Sequence, residues 1–404
     1  MLRSEEGKTS MEEQKTKKTI PRWKAALACF LCLVLGATAA TAGIWLAVGE
    51  DGRVLLQAQR LIDQRFVGEY DQTLHQQATL DAMVASLGDR WSNYLTPSQY
   101  QSTRDARANT YVGIGISFTR EDPRGLLVAD VTPGGPAQEA GVLIGDIICG
   151  VDGTQLTPEN QEDCIAAIRG EEGTTVTLTL QRADGTQEEV VVERRTIQEV
   201  SAHWVLTEDG VGLITIYNFY TGVADNVAQA VEELQAQGAK ALVLDVRFNP
   251  GGYVKELADI LDLLLPEGDV FISRKYNGKE TVYTSDEDCV DLPMAVLVNE
   301  HSYSAAEFLA AQLREAADAL VVGTRTCGKG YSQMLYELAD GSAINLSTAR
   351  YFTGSGVSLI GTGVEPEPSV AMTEEANQKL LAGQLPLEED LQYQAAVRAL
   401  EVAE

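Results

Sequence analysis

The chain has 404 residues, with 31 Lys and Arg against 59 Asp and Glu, so its formal net charge is −28. That length suggests about two or three domains. Apolar residues make up 45% and charged residues 22%, which excludes a largely disordered chain. The acidic balance argues against a nucleic-acid partner, because affinity for a phosphate backbone requires a basic surface. The chain has only 3 histidines and no HExxH motif, so a zinc site built from histidines is not expected.

Residues 25–48 contain no charged residue and are long enough to span a hydrocarbon core. Basic residues precede them and Glu50 and Asp51 follow, so the positive-inside rule places the larger part of the chain outside the cytoplasm. We therefore expect a basic cytoplasmic tail at 1–24 and a transmembrane signal anchor at 25–48. The alternative is a signal peptide, cleaved after a small-residue site such as Ala37-Thr38-Ala39, with the remainder secreted.

Residues 49–110 are predicted to be mainly helical, because apolar residues recur at helical spacing, as in Leu80, Met83, Val84 and Leu87. Residues 111–197 differ in pattern. Strand-like segments at 126–131 and 175–180, turn clusters and a helix at about 158–168 predict a small, partly open β-barrel.

Residues 198–370 alternate amphipathic helices with buried strands. The runs at 241–244, 295–298 and 320–322 are continuously apolar, as expected for strands covered on both faces. This alternation predicts an α/β layer architecture, in which sites form at the loops after the carboxyl ends of the strands. The acidic tail, 371–404, is predicted to be helical and peripheral.

Ser304 follows one of these strands and begins a predicted helix, which makes it a candidate nucleophile. Taken alone, Ser304-Ala305-Ala306-Glu307 is also a good capping box, and that structural role is the commoner one.

Lys329 lies between two glycines in the loop after the third strand. Such a lysine is usually a solvated turn residue, but a buried lysine held neutral can act as a general base without any histidine. Gln333, four residues on, could hydrogen-bond the lysine amine, or could be a polar strand residue that faces solvent.

Gly251 and Gly252 precede a helix, and their backbone N–H groups could bind a developing oxyanion together with the N–H of Ala305. A plain turn that needs positive φ is the alternative for the two glycines.

The order of motifs resembles the carboxy-terminal processing peptidases, also called tail-specific proteases, over about residues 52–398. The segments that carry the resemblance are Gly88–Leu95, Tyr111–Ile116, Asp245–Gly252, Ser302–Glu307, Gly328–Gly330 with Gln333, Ala349–Phe352 and Gly363–Pro366.

This resemblance implies a mixed α/β (α+β) fold. It comprises a helical N-terminal region at 49–110, an inserted PDZ β-barrel domain at 111–197, a crotonase-like α/β serine protease core at 198–370 and the helical tail at 371–404. It implies Ser304 as nucleophile, Lys329 as general base and Gln333 as the residue that positions the lysine. It also implies that the PDZ loop Gly113, Ile114, Gly115 and Ile116 binds a peptide carboxylate.

The expected function is an extracytoplasmic serine endopeptidase that cleaves exported proteins near their C-termini and needs no metal or other cofactor. Protein or peptide C-termini are the expected partners, and the resemblance also implies a homodimer. Two alternatives stay open: a catalytically silent PDZ adaptor, and a signalling protease gated by a partner.

Overall fold

The computed structural model describes residues 21–120 and 122–403, so most of the predicted basic tail at 1–24 lies outside the described residues. The chain forms two compact units that divide between His75 and Gln76. The first unit contains α1 (Arg22–Arg65) and the beginning of α2 (Gln72–Ala85). α1 is interrupted at Gly49, where φ is 67° and ψ is −178°, at the end of the predicted 25–48 span. Among the residues described, no helix has the combined length and apolarity needed to cross a membrane.

The second unit begins with a short strand, β1 (Asn93–Leu95), and α3 (Pro97–Ala108). Thr96 starts α3 with a capping box: the Gln99 N–H donates to its hydroxyl, and its own N–H donates to the Gln99 side chain. α3 ends at Asn109, whose buried side-chain amide donates to the Glu199 carbonyl and the Ser201 hydroxyl. These bonds fix the point where the chain enters the next domain.

That domain has its own hydrophobic core, one large sheet and a separate two-stranded sheet. Its elements are β2 (Thr110–Gly113), β3 (Ile116–Thr119), β4 (Leu126–Val131), α4 (Pro136–Glu139), β5 (Ile147–Val151), β6 (Thr154–Gln155), α5 (Gln161–Ile168), β7 (Thr175–Gln181), β8 (Gln187–Glu193) and β9 (Arg195–Gln198). The 6-stranded sheet has the order β3-β4-β5-β7-β8, with β6 on β5, while β2 pairs with β9. Leu126, Ile148, Leu178 and Leu180 are fully buried in its core.

The larger domain contains a 5-stranded sheet of order β10-β11-β12-β15-β16, in which only β10 is antiparallel to its neighbour. Its elements are β10 (Ala202–Leu206), β11 (Val211–Ile216), α6 (Val223–Ala236), β12 (Ala241–Asp245), α7 (Val254–Leu264), β15 (Met294–Val298), α8 (Ala305–Ala317) and β16 (Leu320–Gly323). Helices α6, α7 and α8 bury one face of this sheet, with Val227, Leu261 and Leu309 in the shared core. The predicted buried strands are therefore present in the α/β layers expected.

A second sheet packs against the helices, with the order β1-β18-β13-β14 and with β17 paired to β18. Its remaining strands are β13 (Gly268–Lys275), β14 (Glu280–Ser285), β17 (Tyr331–Glu337) and β18 (Ala343–Thr353). Because β1 pairs with β18 from Asn93↔Asn345 to Leu95↔Ala343, the segment just before β1 lies beside the larger domain.

The tail forms α9 (Glu374–Leu381) and α10 (Leu391–Ala403), helical as predicted. The prediction that it is peripheral is wrong for α10. Tyr393, Ala396 and Val397 are buried against Leu213, Val243 and Leu297, on the sheet face opposite α6 to α8. The strands of the sheet are apolar on both faces because α10 covers the second one.

Candidate active site

Three loops meet at one edge of the 5-stranded sheet, after β12, β15 and β16, which are neighbours in that order. Hydrogen bonds join the loops to one another. The Tyr303 N–H donates to the Asn249 carbonyl at 2.9 Å, and the Phe248 N–H donates to Asn299 Oδ1 at 3.0 Å. The candidate residues of the three loops are therefore held in one place, as parallel topology predicts.

Ser304 lies immediately before α8 with φ 56° and ψ −116°, and only 7% of its surface is exposed. A positive φ at a residue other than glycine costs about 1–3 kcal/mol and persists only where the surroundings enforce it. Ser304 and Glu307 form a capping box at the start of α8, in which the Ser304 backbone N–H donates to Glu307 at 2.8 Å. The surroundings therefore hold Ser304 in a backbone conformation that an unconstrained serine rarely adopts.

Glu307 is fully buried and accepts four hydrogen bonds, one from Ser304 and three from the loop after β16. Oε2 accepts from the Ser304 and Lys329 N–H groups, both at 2.8 Å. Oε1 accepts from the Gly328 N–H and from the Thr326 hydroxyl, both at 2.6 Å. Burial raises the pKa of Glu307, and the hydrogen bonds act in the opposite direction. Glu307, the last residue of the predicted capping box, thus connects the backbone of Ser304 to that of Lys329.

Gly251 and Gly252 lie against the start of α8. A Cβ on Gly251 would lie 2.9 Å from Ser304 Cβ and 3.1 Å from Ala305 N, so only glycine allows this approach. The N–H groups of Gly252 and Ala305 have no hydrogen-bond partner among the described residues. The Gly251 N–H donates to Asn249 Oδ1 at 2.8 Å and is not available to an oxyanion in this conformation. Of the three predicted donors, Gly252 and Ala305 are therefore the free ones.

Lys329 is partly buried beside Trp91, with its Nζ 4.7 Å from the centre of the indole ring. Burial lowers the pKa of Lys329, and the positive charge of Arg107 lowers it further. Trp91 also carries the Arg90 guanidinium on its ring and contacts the Tyr303 ring edge to face. A ring face attracts the charged ammonium, whereas burial and Arg107 favour the neutral amine.

Gln333 lies on β17 beside a break in the pairing register with β18. Its side-chain amide donates to the Tyr331 carbonyl at 3.0 Å and to the Ser347 hydroxyl at 3.1 Å. The predicted hydrogen bond between Gln333 and Lys329 is not formed. The carbonyl oxygen of the Gln333 side chain carries no partner within the described residues, so it could still accept from a lysine amine.

The predicted residues line one cleft of about 700 Å³, which contains Ser304, Lys329, Gln333, Gly251 and Gly252. A serine, an amine and free backbone donors in one cleft can perform acyl transfer. The sequence singled out neither Trp91 nor Arg107 as site residues. Trp91 lies within the quoted Gly88–Leu95 segment, so a signal for it existed, whereas nothing in the local sequence marks Arg107.

The predicted carboxylate loop of the smaller domain joins β2 to β3. Ile114 is buried and its carbonyl accepts from the Ala137 N–H, while Gly115 has φ 76° and accepts from the Thr132 N–H. The N–H groups of Ile114 and Gly115 have no hydrogen-bond partner in the described parts of the chain. Two adjacent free donors in a glycine loop suit a carboxylate.

Residues 210–370 match the model of Peptidase family S41, and residues 112–193 match the model of the PDZ domain. This pair of matches confirms the family resemblance drawn from the motifs, because the chain carries an S41 peptidase region and a PDZ domain. It also confirms a mixed α/β fold that combines an S41 protease domain with a PDZ domain.

Among its relatives, the chain is 32% identical over 290 residues to the carboxy-terminal processing protease CtpA of Bacillus subtilis (strain 168). That alignment covers 71% of this chain and 62% of CtpA. It is 28% identical over 362 residues to a "Probable CtpA-like serine protease" of Staphylococcus haemolyticus (strain JCSC1435), covering 85% of this chain and 72% of that protein. An S41 protease structure from Bacteroides fragilis shares the fold, with a TM-score of 0.51 and 19% identity over 84% of this chain and 93% of that one.

Proposed function

We propose that the protein is an endopeptidase whose catalytic dyad is Ser304 and Lys329. The observation that carries the proposal is the cleft that contains both side chains, with the free N–H group of Gly252 on its wall and that of Ala305 next to Ser304. Ser304 Oγ attacks the peptide carbonyl carbon while the Lys329 amine accepts its proton. The N–H groups of Gly252 and Ala305 stabilise the oxyanion, and the Gly251 α-carbon lets the loop approach closely.

The tetrahedral intermediate then collapses, and Lys329 returns its proton to the departing amine nitrogen. A water molecule, deprotonated by the same amine, hydrolyses the acyl-Ser304 ester and regenerates the hydroxyl. Lys329 can serve as base only in its neutral form, and burial together with Arg107 supports that form.

We place the substrate's C-terminal tail on the PDZ domain, with its carboxylate on the loop from Gly113 to Ile116. The free N–H groups of Ile114 and Gly115 support this assignment. The tail would add as a strand beside β3, which gives affinity through main-chain hydrogen bonds. This arrangement favours cleavage near the C-terminus of protein substrates, in line with the printed name of the Bacillus subtilis relative.

A gated form of the same enzyme has specific support. Lys329 Nζ lies over the Trp91 ring, and the Gln333 amide donates to Tyr331 and Ser347 and forms no hydrogen bond with the lysine amine. In this second candidate function, tail binding to the PDZ domain shifts Lys329 from Trp91 toward Gln333 and Ser304. An added peptide that carries a free C-terminal carboxylate should then stimulate cleavage of a second substrate, and its C-terminal amide should not.

For location, we retain an anchor at 25–48 with the peptidase outside the cytoplasm, and secretion after signal cleavage as the alternative. The uncharged run and the exposed side chains of Leu27, Phe30 and Leu33 support the anchor. Flotation of the native protein with membranes after a carbonate wash tests it, and recovery of a shortened protein in the medium would favour secretion. Sedimentation analysis of the detergent-solubilised protein tests the homodimer implied by the resemblance.

The test of the activity compares the full-length protein with Ser304→Ala and Lys329→Ala on an unstructured protein substrate. We expect both variants to lose cleavage by about a thousandfold or more while keeping the circular dichroism spectrum of the parent. Lys279→Ala is a matched control, because Lys279 is exposed and lies outside the cleft. Retained cleavage in either dyad variant would refute the assignment.

A further inference from the structure

We propose that the Ser304 cleft selects peptides with acidic side chains close to the scissile bond. The inference rests on the peptidase function proposed above and adds the substrate class. It is carried by the charge, pairing and position of two cationic residues in the cleft, Arg107 and Lys275.

The charge of the cleft is opposite to that of the protein. The chain carries a net −28, with 59 acidic against 31 basic residues. The charged residues that line the cleft are nevertheless Arg107, Lys275 and Lys329, and none of its described lining residues is Asp or Glu. A basic cleft in an acidic molecule concentrates anions at that point, because low-dielectric walls focus the local field.

Two residues of the cleft, Arg107 and Lys275, stay cationic when Lys329 acts as a neutral base. Neither Arg107 nor Lys275 forms an ion pair within the described residues, whereas Arg274, adjacent to Lys275, pairs with Glu280. Lys275 is exposed and lies at the end of β13, and Arg107 is partly buried in the last turn of α3. A partly buried guanidinium without a counter-ion gains more from an incoming carboxylate than one already paired.

The two cations differ in what they can select. Arg107 lines the same cleft as Ser304 and Lys329, so it can contact a peptide that is bound across the dyad. α3 also leads directly into β2, the strand before the predicted carboxylate loop. Arg107 therefore lies only a few residues before the PDZ domain along the chain. Lys275 lies on a different element, so the two can contact different positions of one peptide.

Tyrosines on the wall of the cleft suit the same ligand. Tyr220 and Tyr253 contact each other edge to face, and Tyr253 follows Gly252 directly. Their phenol groups can donate hydrogen bonds to a carboxylate while their rings pack against the peptide backbone. The wall thus provides neutral donors and cations, without a fixed anion to repel an acidic side chain.

The test uses the full-length protein in nonionic detergent and pairs of fluorogenic peptides that differ only by Glu or Gln. The change is placed in turn at each of the three positions on either side of the scissile bond. We expect at least one position at which the Glu peptide has a kcat/KM about tenfold above its Gln partner. The ratio should fall toward one as the salt concentration rises from 0.05 to about 1 M, because exposed charges are screened.

Variants then assign the preference to residues. Arg107→Gln and Lys275→Gln should each reduce the Glu/Gln ratio about threefold, at one position each. Lys279→Gln removes the same charge from the adjacent β13–β14 turn, outside the cleft, and should leave the ratio unchanged. A ratio that falls equally in all three variants would indicate an effect of net charge and would overturn the assignment to the cleft.

Equal kcat/KM values for Glu and Gln at all positions would overturn the inference and leave the peptidase function intact. If neither peptide of any pair is cleaved, the proposed function fails, and fluorescence anisotropy separates the two claims. Ser304→Ala protein is titrated into labelled Glu and Gln peptides. Tighter binding of the Glu peptide supports an acid-selective cleft, whereas equal or weaker binding refutes it.

Discussion

Lys329 lies between a ring that favours its charged form and surroundings that favour its neutral form. Trp91 holds the ammonium at 4.7 Å, while burial and Arg107 lower the pKa of Lys329. A general base acts only when deprotonated, so kcat/KM should rise with pH through the pKa of Lys329 in the folded enzyme. Arg107 therefore has two proposed effects: it attracts an acidic side chain of the substrate, and it lowers the pKa of the general base Lys329.

Arg107→Gln should move the ascending limb of the kcat/KM–pH profile, measured with a neutral peptide, to higher pH. The change removes a positive charge that lowers the pKa of Lys329, so the pKa rises and less neutral amine is present at pH 7. The kcat/KM–pH profile measures the midpoint. Arg104→Gln is the control, because Arg104 is exposed one turn earlier on α3 and does not line the cleft. An unchanged midpoint in Arg107→Gln would contradict the electrostatic effect of Arg107.

Glu307→Gln should lower the free energy of unfolding by about 2–3 kcal/mol and reduce kcat. Four donors point at the two carboxylate oxygens, and an amide would turn its NH2 group toward two of them. Urea denaturation measures the first effect, and single-turnover cleavage measures the second.

Glu315→Gln on the same helix is the matched control for Glu307. Among the described residues, Glu315 accepts only from the hydroxyls of Thr353 and Ser355, which can rotate and reverse their roles. We expect a change below about 0.5 kcal/mol there. Equal losses of unfolding free energy in the two variants would show that the four hydrogen bonds to Glu307 have no special role.

At the scale of elements, the site depends on where α8 begins and on the glycine loop packed against it. The loop after β12 approaches so closely that Gly251 and Ser304 have no room between them for a methyl group. Hydrogen bonds join the segment before α8 to the glycine loop, and Glu307 of α8 to the loop after β16. The three segments therefore form one unit. A small displacement of any of them would misalign the reacting atoms.

Gly251→Ala should lower kcat/KM by about a hundredfold, since a displacement near 1 Å at a reacting centre can cost that much. The new Cβ would lie 2.8 Å from the Tyr303 carbonyl oxygen, so backbone must shift. Gly238→Ala shares the conformational penalty, with φ +90°, but its Cβ would meet nothing within 4 Å. It should cost about 1 kcal/mol of stability and leave kcat/KM unchanged. Similar kinetic losses in both variants would contradict the packing argument.

Local sequence patterns predict most of the helices and strands around the site, but they predict few of the contacts between those elements. The spacing of Val227, Ala230, Val231 and Leu234 predicts α6, and the run at 241–244 predicts β12, because each pattern reflects burial of that element. β1 is only three residues long, and pairing with β18 forms it, so no local pattern marks it. Trp91 reaches Lys329 through that pairing, which explains why the sequence did not reveal the contact.

The same limit applies to the catalytic groups. Ser304, Lys329 and Gln333 could be proposed because their motifs occur in the expected order, and the cleft does contain all three. Side-chain hydrogen bonds are set by tertiary packing, so the sequence could not anticipate that Gln333 bonds to Ser347 or that Gly251 bonds to Asn249. Arg107 lies far from Lys329 in sequence, and only the fold brings their charges together.

At the scale of the whole molecule, the C-terminal segment is part of the peptidase fold. Arg247, in the loop after β12, is buried between Asp245 and Asp390, with contacts of 2.6 and 2.7 Å. Asp390 also accepts from the N–H groups at the start of α10. This network connects the tail to the loop that contains Gly251, so the stability of the site depends on the last helix.

Asp390→Ala should lower the free energy of unfolding by about 3–5 kcal/mol, because it leaves a buried guanidinium with one partner fewer and removes the α10 cap. Thermal or urea unfolding of the full-length protein measures the loss. Glu389→Ala changes the exposed neighbour and should stay within about 0.5 kcal/mol of the parent. A small effect at Asp390 would mean that α10 is held by its apolar contacts alone.

The most direct measurement for the whole account is the mass of the enzyme trapped during turnover. The full-length protein is mixed with a peptide substrate, quenched in acid within the first turnover, and digested for mass spectrometric mapping. We predict an acyl-peptide on the fragment that contains Ser304, absent from Ser304→Ala and from Lys329→Ala. An adduct on another residue, or undiminished hydrolysis by Ser304→Ala, would contradict the account.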